Sequence, residues 1–317
     1  MSPEPSYAAR AFAARVPGVK IFASSYQGGA VSGFEDTIAL DVADPMALAS
    51  VLESVRPTHV LHLAGVAAPQ KVCADPVVAW RINTLGALAL GRVILSVTPQ
   101  TILLSAGSGL AYGDSANRFA TLDEEAGFAP SDEYGATKAA ADLGLGAMAK
   151  RGLRVVRLRP FNHTGPGQSE DFVAPAFAAQ IAAIEAGQHE PVLMVGDLEA
   201  ERDFCDVRDV ADAYALAALA ASEGRLEPDR AFNLCFGLAL RMRALLDQML
   251  DMSRVRVEVR QDPTRMRASP APRMVGNPSR AERELGWKAT ISVETTLRDI
   301  LDERRARGGQ QVRQPIL

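Results

Sequence analysis

Apolar residues in the first half of the chain follow two alternating rhythms. Between Pro45 and Val55, the residues Met46, Leu48, Val51, Leu52 and Val55 recur at helical spacing. His59–Ala64 is instead a short run that is apolar on both sides, as a strand covered on both faces requires. The same reading predicts helices over 6–16, Val77–Val97 and Tyr134–Lys150. It predicts strands over Val19–Ser25, Thr37–Val42, Thr101–Ser105 and Leu153–Arg159. Pro17-Gly18 stops the first helix. Strands and helices in strict alternation define an α/β chain with a doubly wound parallel sheet. Beyond Pro160 the texture changes. FNHTGPGQ (161–168) reads as a loop, Phe172–Ala186 and Asp209–Ala221 as helices, and 262–277 as a loop rich in Pro and Arg.

Composition narrows the possibilities. At 317 residues the chain is long enough for one large domain or two intimate ones, and 48% hydrophobic with 23% charged residues is ordinary for a soluble globular protein. The 34 basic and 38 acidic residues give a net charge of −4, which argues against nucleic acid and against an anionic membrane surface as partners. Cys73, Cys205 and Cys235 are widely spaced and form no CxxC, so they read as free thiols in a reducing cytoplasm and not as zinc ligands. The N-terminus has no secretory signal, and no other stretch is expected to reach membrane-spanning length.

The sharpest chemical signal is Tyr134-Gly-Ala-Thr-Lys138 at the start of a predicted helix. Residues four apart stand one above the other on one helix face. An ammonium beside a phenol favours the phenolate and draws the tyrosine toward working pH, where it serves as general acid or base. Upstream, a predicted strand runs into Ser105-Ala-Gly-Ser108-Gly-Leu-Ala-Tyr112-Gly113, which places Ser108 at the end of the sheet where such folds bind ligands. Downstream are Arg159-Pro-Phe-Asn162-His-Thr-Gly-Pro-Gly and Arg202-Asp-Phe-Cys-Asp206-Val-Arg-Asp209-Val.

In their order and separations, HLAG (62–65), INTLGA (82–87), SxxxYG (108–113), YxxxK (134–138), RPFNHTGPGQ (159–168) and RDFxDVRDV (202–210) resemble the extended short-chain dehydrogenases/reductases that act on nucleotide sugars. FNHTGPGQ, EARxDFxDVRDV and the later DPxRxR…VGNPS (262–279) most resemble the GDP-4-keto-6-deoxymannose reductases, and the resemblance spans about 6 to 300. It implies a Rossmann-like dinucleotide-binding region over 1–161 and about 206–235. A smaller nucleotide-sugar-binding region would cover 162–205 and 236–300, with 301–317 a tail.

The resemblance implies that Ser108 orients a substrate carbonyl, that Tyr134 is the acid/base, and that Lys138 holds the nicotinamide ribose and tunes Tyr134. Further cofactor contacts would fall to Ser24, Asp41, Val42, Leu63, Ala64, Gly65 and Asn83. Asn162 and Arg202 would hold the sugar diphosphate or nucleoside, with Arg265 or Arg267 adding positive charge, since the guanidinium fork suits phosphate oxygens. The cofactor would be NADP or NAD. No acidic residue ends the Val19–Ser25 strand to select NAD, and no nearby arginine selects NADP. The family's opening strand and GxxGxxG fingerprint have no counterpart here. Gly28, Gly29 and Gly33 lie too close to the next strand to replace them. The expected sheet therefore lacks its first strand, with Val19–Ser25 in second place.

Four functional readings stay open on these residues: a reductase of a nucleotide-linked 4-keto-6-deoxy sugar, a nucleotide-sugar 4-epimerase, a 4,6-dehydratase, and a non-catalytic nucleotide-sugar-binding homologue. The dehydratase ranks below the reductase, because Leu110 and Ala111 stand where its base would be. Helices 77–97 and 134–150 carry apolar residues on more than one face, which with the resemblance implies a homodimer.

Overall fold

The computed structural model describes residues 4–311 apart from 30, 32, 35 and 266–270. Its main sheet has four parallel strands, β3 (His59–His62), β4 (Ile102–Ala106), β5 (Val155–Pro160) and β10 (Arg230–Leu234), in the order β10-β5-β4-β3. Side chains alternate across it. Leu104, Val156 and Leu158 face a core shared with α1 (Glu4–Arg15), α8 (Val207–Ser222) and α10 (Ser279–Leu285). Leu103 and Val155 face the opposite core, formed with α2 (Pro45–Val55), α5 (Ala87–Val97) and α6 (Glu133–Ala149). Helices on both faces of a parallel sheet make the fold doubly wound, as expected.

Two further strands, β1 (Ala23–Ser25) and β2 (Thr37–Ala39), pair in parallel with each other and with no strand of the main sheet. The sheet is thus in two pieces. Among the described residues no strand bonds to β3 on the side away from β4, nor to β1 on the side away from β2. β1 is correspondingly shorter than the expected Val19–Ser25. Ladder hydrogen bonds are what hold a strand extended, and residues 19–22 have no ladder partner; Phe22 is exposed.

α4 (Pro76–Ala79) runs through a π-helical stretch, Trp80–Gly86, into α5, making one continuous helix Pro76–Val97. Its 22 residues are long and apolar enough to cross a membrane by length and composition, contrary to the expectation that no stretch would be. Here half of its apolar window is buried, packed between α2 and α6.

A second core lies after β5. It gathers α7 (Val173–Glu185), β7 (Val192–Val195), β9 (Phe204–Asp206), α9 (Met242–Asp251) and α11 (Val293–Gln311). Small strand pairs frame it: β6 (Asn162–Thr164) with β9, β12 (Glu258–Gln261) with β7, and β8 (Glu201–Arg202) between β11 (Leu240–Arg241) and β13 (Arg273–Met274). A short helix, α3 (Pro69–Ala74), completes the set. The expected tail from 301 is instead part of α11, which continues to Gln311. Leu301 is buried in the second core, and Arg304 is buried with bonds to Gln168 O and to Glu170.

The glycine of SxxxYG has a steric reason. Ser108 caps the 3-10 turn Gly109–Tyr112, and the chain leaves it through Gly113 at φ +49° and ψ −125°. A Cβ there would run into the Ala129 carbonyl oxygen and Pro130 Cα. Gly113→Ala should therefore destabilise the fold by about 3 kcal/mol or more, combining backbone strain with overpacking. Denaturant unfolding at a fixed m-value measures this, and an unchanged midpoint would refute the explanation.

Candidate active site

α6 begins at Asp132, whose carboxylate accepts the Gly135 N–H at 2.6 Å. Gly135 lies against the 3-10 turn, where a Cβ would stand 2.6 Å from Leu110 O. The tyrosine helix and the serine turn are thereby brought together. Ser108 Oγ accepts the Leu110 N–H at 3.1 Å, a bond that uses a lone pair and leaves the hydroxyl proton for another acceptor.

Tyr134, Lys138 and Asp142 succeed one another on one face of α6. Tyr134 and Lys138 are each only 9% exposed. Lys138 Nζ donates to Ala106 O, at the end of β4, at 3.0 Å. One turn further, Asp142 accepts a forked pair from Arg159 at 2.9 and 3.0 Å, and a bond from Arg157 at 2.5 Å. Arg159 also donates to Tyr112 Oη at 2.8 Å and Glu124 O at 3.1 Å, and lies over the Phe128 ring. Tyr112 Oη in turn donates to Asn233 Oδ1 at 2.8 Å. Burial, partly offset by Arg159, pushes the Tyr112 phenol up to about 12. Fully buried, Tyr112 is bonded on both sides and joins the serine turn to β5 and β10.

Behind Lys138 lies a cavity of about 10 Å³ lined by His62, Asn83, Ser105, Asp142 and Arg157. Burial first, and the Lys138 charge second, bring the His62 pKa down to about 4. Asn83 is bonded within the protein. Its carbonyl accepts the Val66 N–H at 2.7 Å, and its amide donates to Val66 O at 3.1 Å and Thr137 Oγ1 at 3.0 Å. Thr84 donates to Thr137 O at 2.8 Å. These two consecutive residues of the π-helical stretch both engage the helix of Tyr134 and Lys138. Asn83, expected as a cofactor contact, thus acts on the Gly65–Val66 backbone.

Tyr134 and Lys138 form part of the lining of a cleft of about 480 Å³, together with Ser108, Leu63, Gly65 and Asn162. The structure therefore brings these six expected residues together. Ser24, Asp41, Val42 and Ala64 are not in its wall. Asp41 accepts from Ala43 N and pairs with Arg81, and Ser24 is exposed on β1. Arg202, in β8, donates to Glu201 O at 2.7 Å and Pro272 O at 3.3 Å and does not line the cleft. Arg265 ends the turn Pro263–Arg265; its side chain and all of Arg267 lie outside the described residues. Sequence reading missed Thr137, although it sits inside YxxxK, and also His62 and the cleft residues Lys71 and Asp171.

A tyrosine–lysine pair on the helix after β4, a serine at the end of β4 and a cleft beyond the strand ends define a short-chain dehydrogenase/reductase. Residues 30–300 match the model of the GDP-mannose 4,6 dehydratase family, and the chain belongs to that family. It is 35% identical over 268 residues to a GDP-6-deoxy-D-mannose reductase of Pseudomonas aeruginosa, covering 84% of this chain and 86% of that one. It is 27% identical to a GDP-6-deoxy-D-talose 4-dehydrogenase of Aggregatibacter actinomycetemcomitans, covering 83% and 84%. Among solved structures, RMD from Pseudomonas aeruginosa complexed with NADPH superposes with a TM-score of 0.80 at 29% identity, covering 95% of this chain and 96% of that one.

The buried imidazole yields a pH test. With its folded pKa below the ordinary 6.5, His62 favours the fold while neutral, and that contribution is lost as pH falls from about 6.5 to about 4. The full excursion is worth roughly 3 kcal/mol. His62→Gln should therefore gain on the wild type by that order between pH 7 and pH 4 in paired denaturant titrations. A constant difference across that range would refute the assignment.

Proposed function

We propose that this protein reduces the C4 ketone of a GDP-linked 4-keto-6-deoxy sugar with NADPH or NADH. The observation that carries the reading is the convergence of Tyr134, Lys138 and Ser108 on one wall of the cleft. A 35% identity to a GDP-6-deoxy-D-mannose reductase supports the substrate, and a structural relative complexed with NADPH supports the cofactor. The residues fit a nicotinamide. A Cβ at Gly65 would stand 3.0 Å from Asn83 Oδ1 and 3.4 Å from Lys138 Nζ, so glycine lets the loop after β3 pack close against Asn83 and Lys138 in the cleft wall. Leu63, Gly65, Tyr134 and Lys138 would hold that end of the cofactor.

When bound, the reduced nicotinamide supplies hydride to the carbonyl carbon. The protein does the rest. Ser108 donates a hydrogen bond to the ketone oxygen and orients it. Tyr134 transfers its phenolic proton to the same oxygen as negative charge develops there. The Lys138 ammonium stabilises the tyrosinate left behind. Asn83 and Thr137 hold the loop and helix at working distance. Asn162, in the cleft wall, takes the diphosphate side of the ligand.

The 4,6-dehydratase reading is weaker. It needs a carboxylate beside the sugar, but residue 110 is leucine, and Asp171, the one carboxylate in the cleft wall among the described residues, is already paired with Lys71. A 4-epimerase would retain its cofactor through purification, whereas a reductase exchanges it every turnover. The free cysteines, two of them buried, support a reducing cytoplasm as the site of action.

Incubation of GDP-4-keto-6-deoxymannose with NADPH or NADH should consume absorbance of the reduced cofactor. Tyr134→Phe should lower kcat by about 10²–10⁴-fold with KM little changed, since it removes only the proton donor. Nearly full turnover in that variant would overturn the assignment.

We also propose a homodimer through α5 and α6. Leu85, in the π-helical stretch leading into α5, and Leu143, on α6, are 57% and 62% exposed, which calls for a partner surface. Light scattering should give twice 33.8 kDa at micromolar concentration, and Leu143→Glu should shift the mass toward 33.8 kDa. A monomeric wild type would refute the proposal.

A further inference from the structure

The cleft has two banks. One carries Gly65–Lys71, Ser108, Tyr134 and Lys138; the other is the chain from Asn162 to Ala174. At its mouth, Lys71 of α3 meets Asp171 of the opposite bank, Nζ to Oδ2 at 2.7 Å, across 100 residues of sequence. Ser169 Oγ donates to the same carboxylate oxygen at 2.9 Å. We propose that Lys71 and Asp171 form a clasp that closes over the bound nucleotide sugar and slows its exit.

The two ends are mounted differently. The loop before Asp171 is anchored from behind by α11: Gly167 N–H donates to Glu303 at 2.8 Å, and Arg304 donates to Gln168 O and Glu170. Tyr7 Oη of α1 reaches Pro166 O at 3.3 Å. Asp171 is therefore presented by a fixed loop. Lys71 stands on a six-residue helix with no side-chain cap, and its flexible stem is 66% exposed. An exposed ion pair of this kind is worth little, so it opens and remakes readily. Tyr134 and Lys138 lie buried within the cleft, while the clasp lies in solvent at the opening, where only entry and exit pass it. A pair buried at the reacting atoms would cost far more to break and would not serve as a gate. Pairing also neutralises Asp171, which would otherwise repel a diphosphate entering the cleft.

The clasp reading rests on the cleft being the nucleotide-sugar site, and the test separates the two. Without ligand, Asp171→Ala should raise amide hydrogen exchange two- to fivefold at 66–74 on the opposite bank, and Lys71→Ala should do the same at 165–173; about that range is expected from losing one exposed pair. Lys71→Arg should stay near wild type, and the double exchange Lys71→Asp with Asp171→Lys should restore protection. Unchanged exchange on the opposite bank, or no restoration by the double exchange, overturns the clasp. In a second arm, stopped-flow release of a fluorescent GDP derivative should accelerate about two- to fivefold in both single variants and return in the double exchange. Unaltered release with coupled hydrogen exchange overturns the retention role. If the derivative fails to bind wild type at all, the GDP-sugar reading falls, and the exchange data alone decide the clasp.

Discussion

The geometry of the site depends on one buried ion pair, Arg159 with Asp142. Arg159 belongs to β5, Asp142 to α6, and the forked bond between them locks the tyrosine helix onto the sheet. From the same guanidinium, bonds run to Tyr112 in the serine turn and to Glu124 O, and through Tyr112 to Asn233 of β10. Five segments are thus tied around one guanidinium. A buried pair of this kind adds little net stability over apolar packing, but losing one member costs on the order of 3–5 kcal/mol because a charge is left unpaired. Here the pair joins α6 to β5 one turn beyond Lys138, on the same helix face as Tyr134 and Lys138.

A second link works from the other side. Asn83 and Thr84 hold Thr137 while Asn83 also holds Val66, so the loop after β3 and the first turns of α6 are tied together. Both residues lie in the π-helical stretch of their helix, and such local departures from α-helical hydrogen bonding are often found at functional sites. Behind the site Asn83, Thr137, Asp142 and Arg159 are buried and hydrogen-bonded to one another or to backbone, while the Lys71–Asp171 pair at the cleft mouth is exposed. The contrast suits a site that must hold reacting atoms still and yet exchange ligands.

Much of the fold was legible from periodicity. Pro45–Val55 is helical over the residues expected, and the expected strand at Thr101–Ser105 is displaced by one residue, to Ile102–Ala106. Departures occur where nonlocal partners decide. Val19–Phe22 has strand-like residues but no ladder to join. The segment after Arg304 looks like a polar tail, rich in Arg, Gly and Gln. Yet Arg304 and Arg305 find Glu170 and Glu185 on distant segments, and the helix continues. Charged residues give no apolar period to read, so a helix held by ion pairs across the fold stays hidden in one dimension.

For the site, the sequence by itself determined what chemistry is available: a tyrosine and lysine one helical turn apart, and a serine at a strand end. Both follow from spacing, because a turn of helix and the end of a strand are local geometry. The Asp142–Arg159 anchor was also written in spacing, four residues beyond Lys138 and along a strand of alternating arginines, but nothing local says which carboxylate meets which guanidinium. Only the tertiary structure decided that Asn83 acts through backbone, that Tyr112 is locked away, that Arg202 turns to carbonyl oxygens, and that Lys71 reaches Asp171. Each of these depends on segments tens of residues or more apart meeting in space, and the partner of a polar side chain is set by the packing of the whole chain.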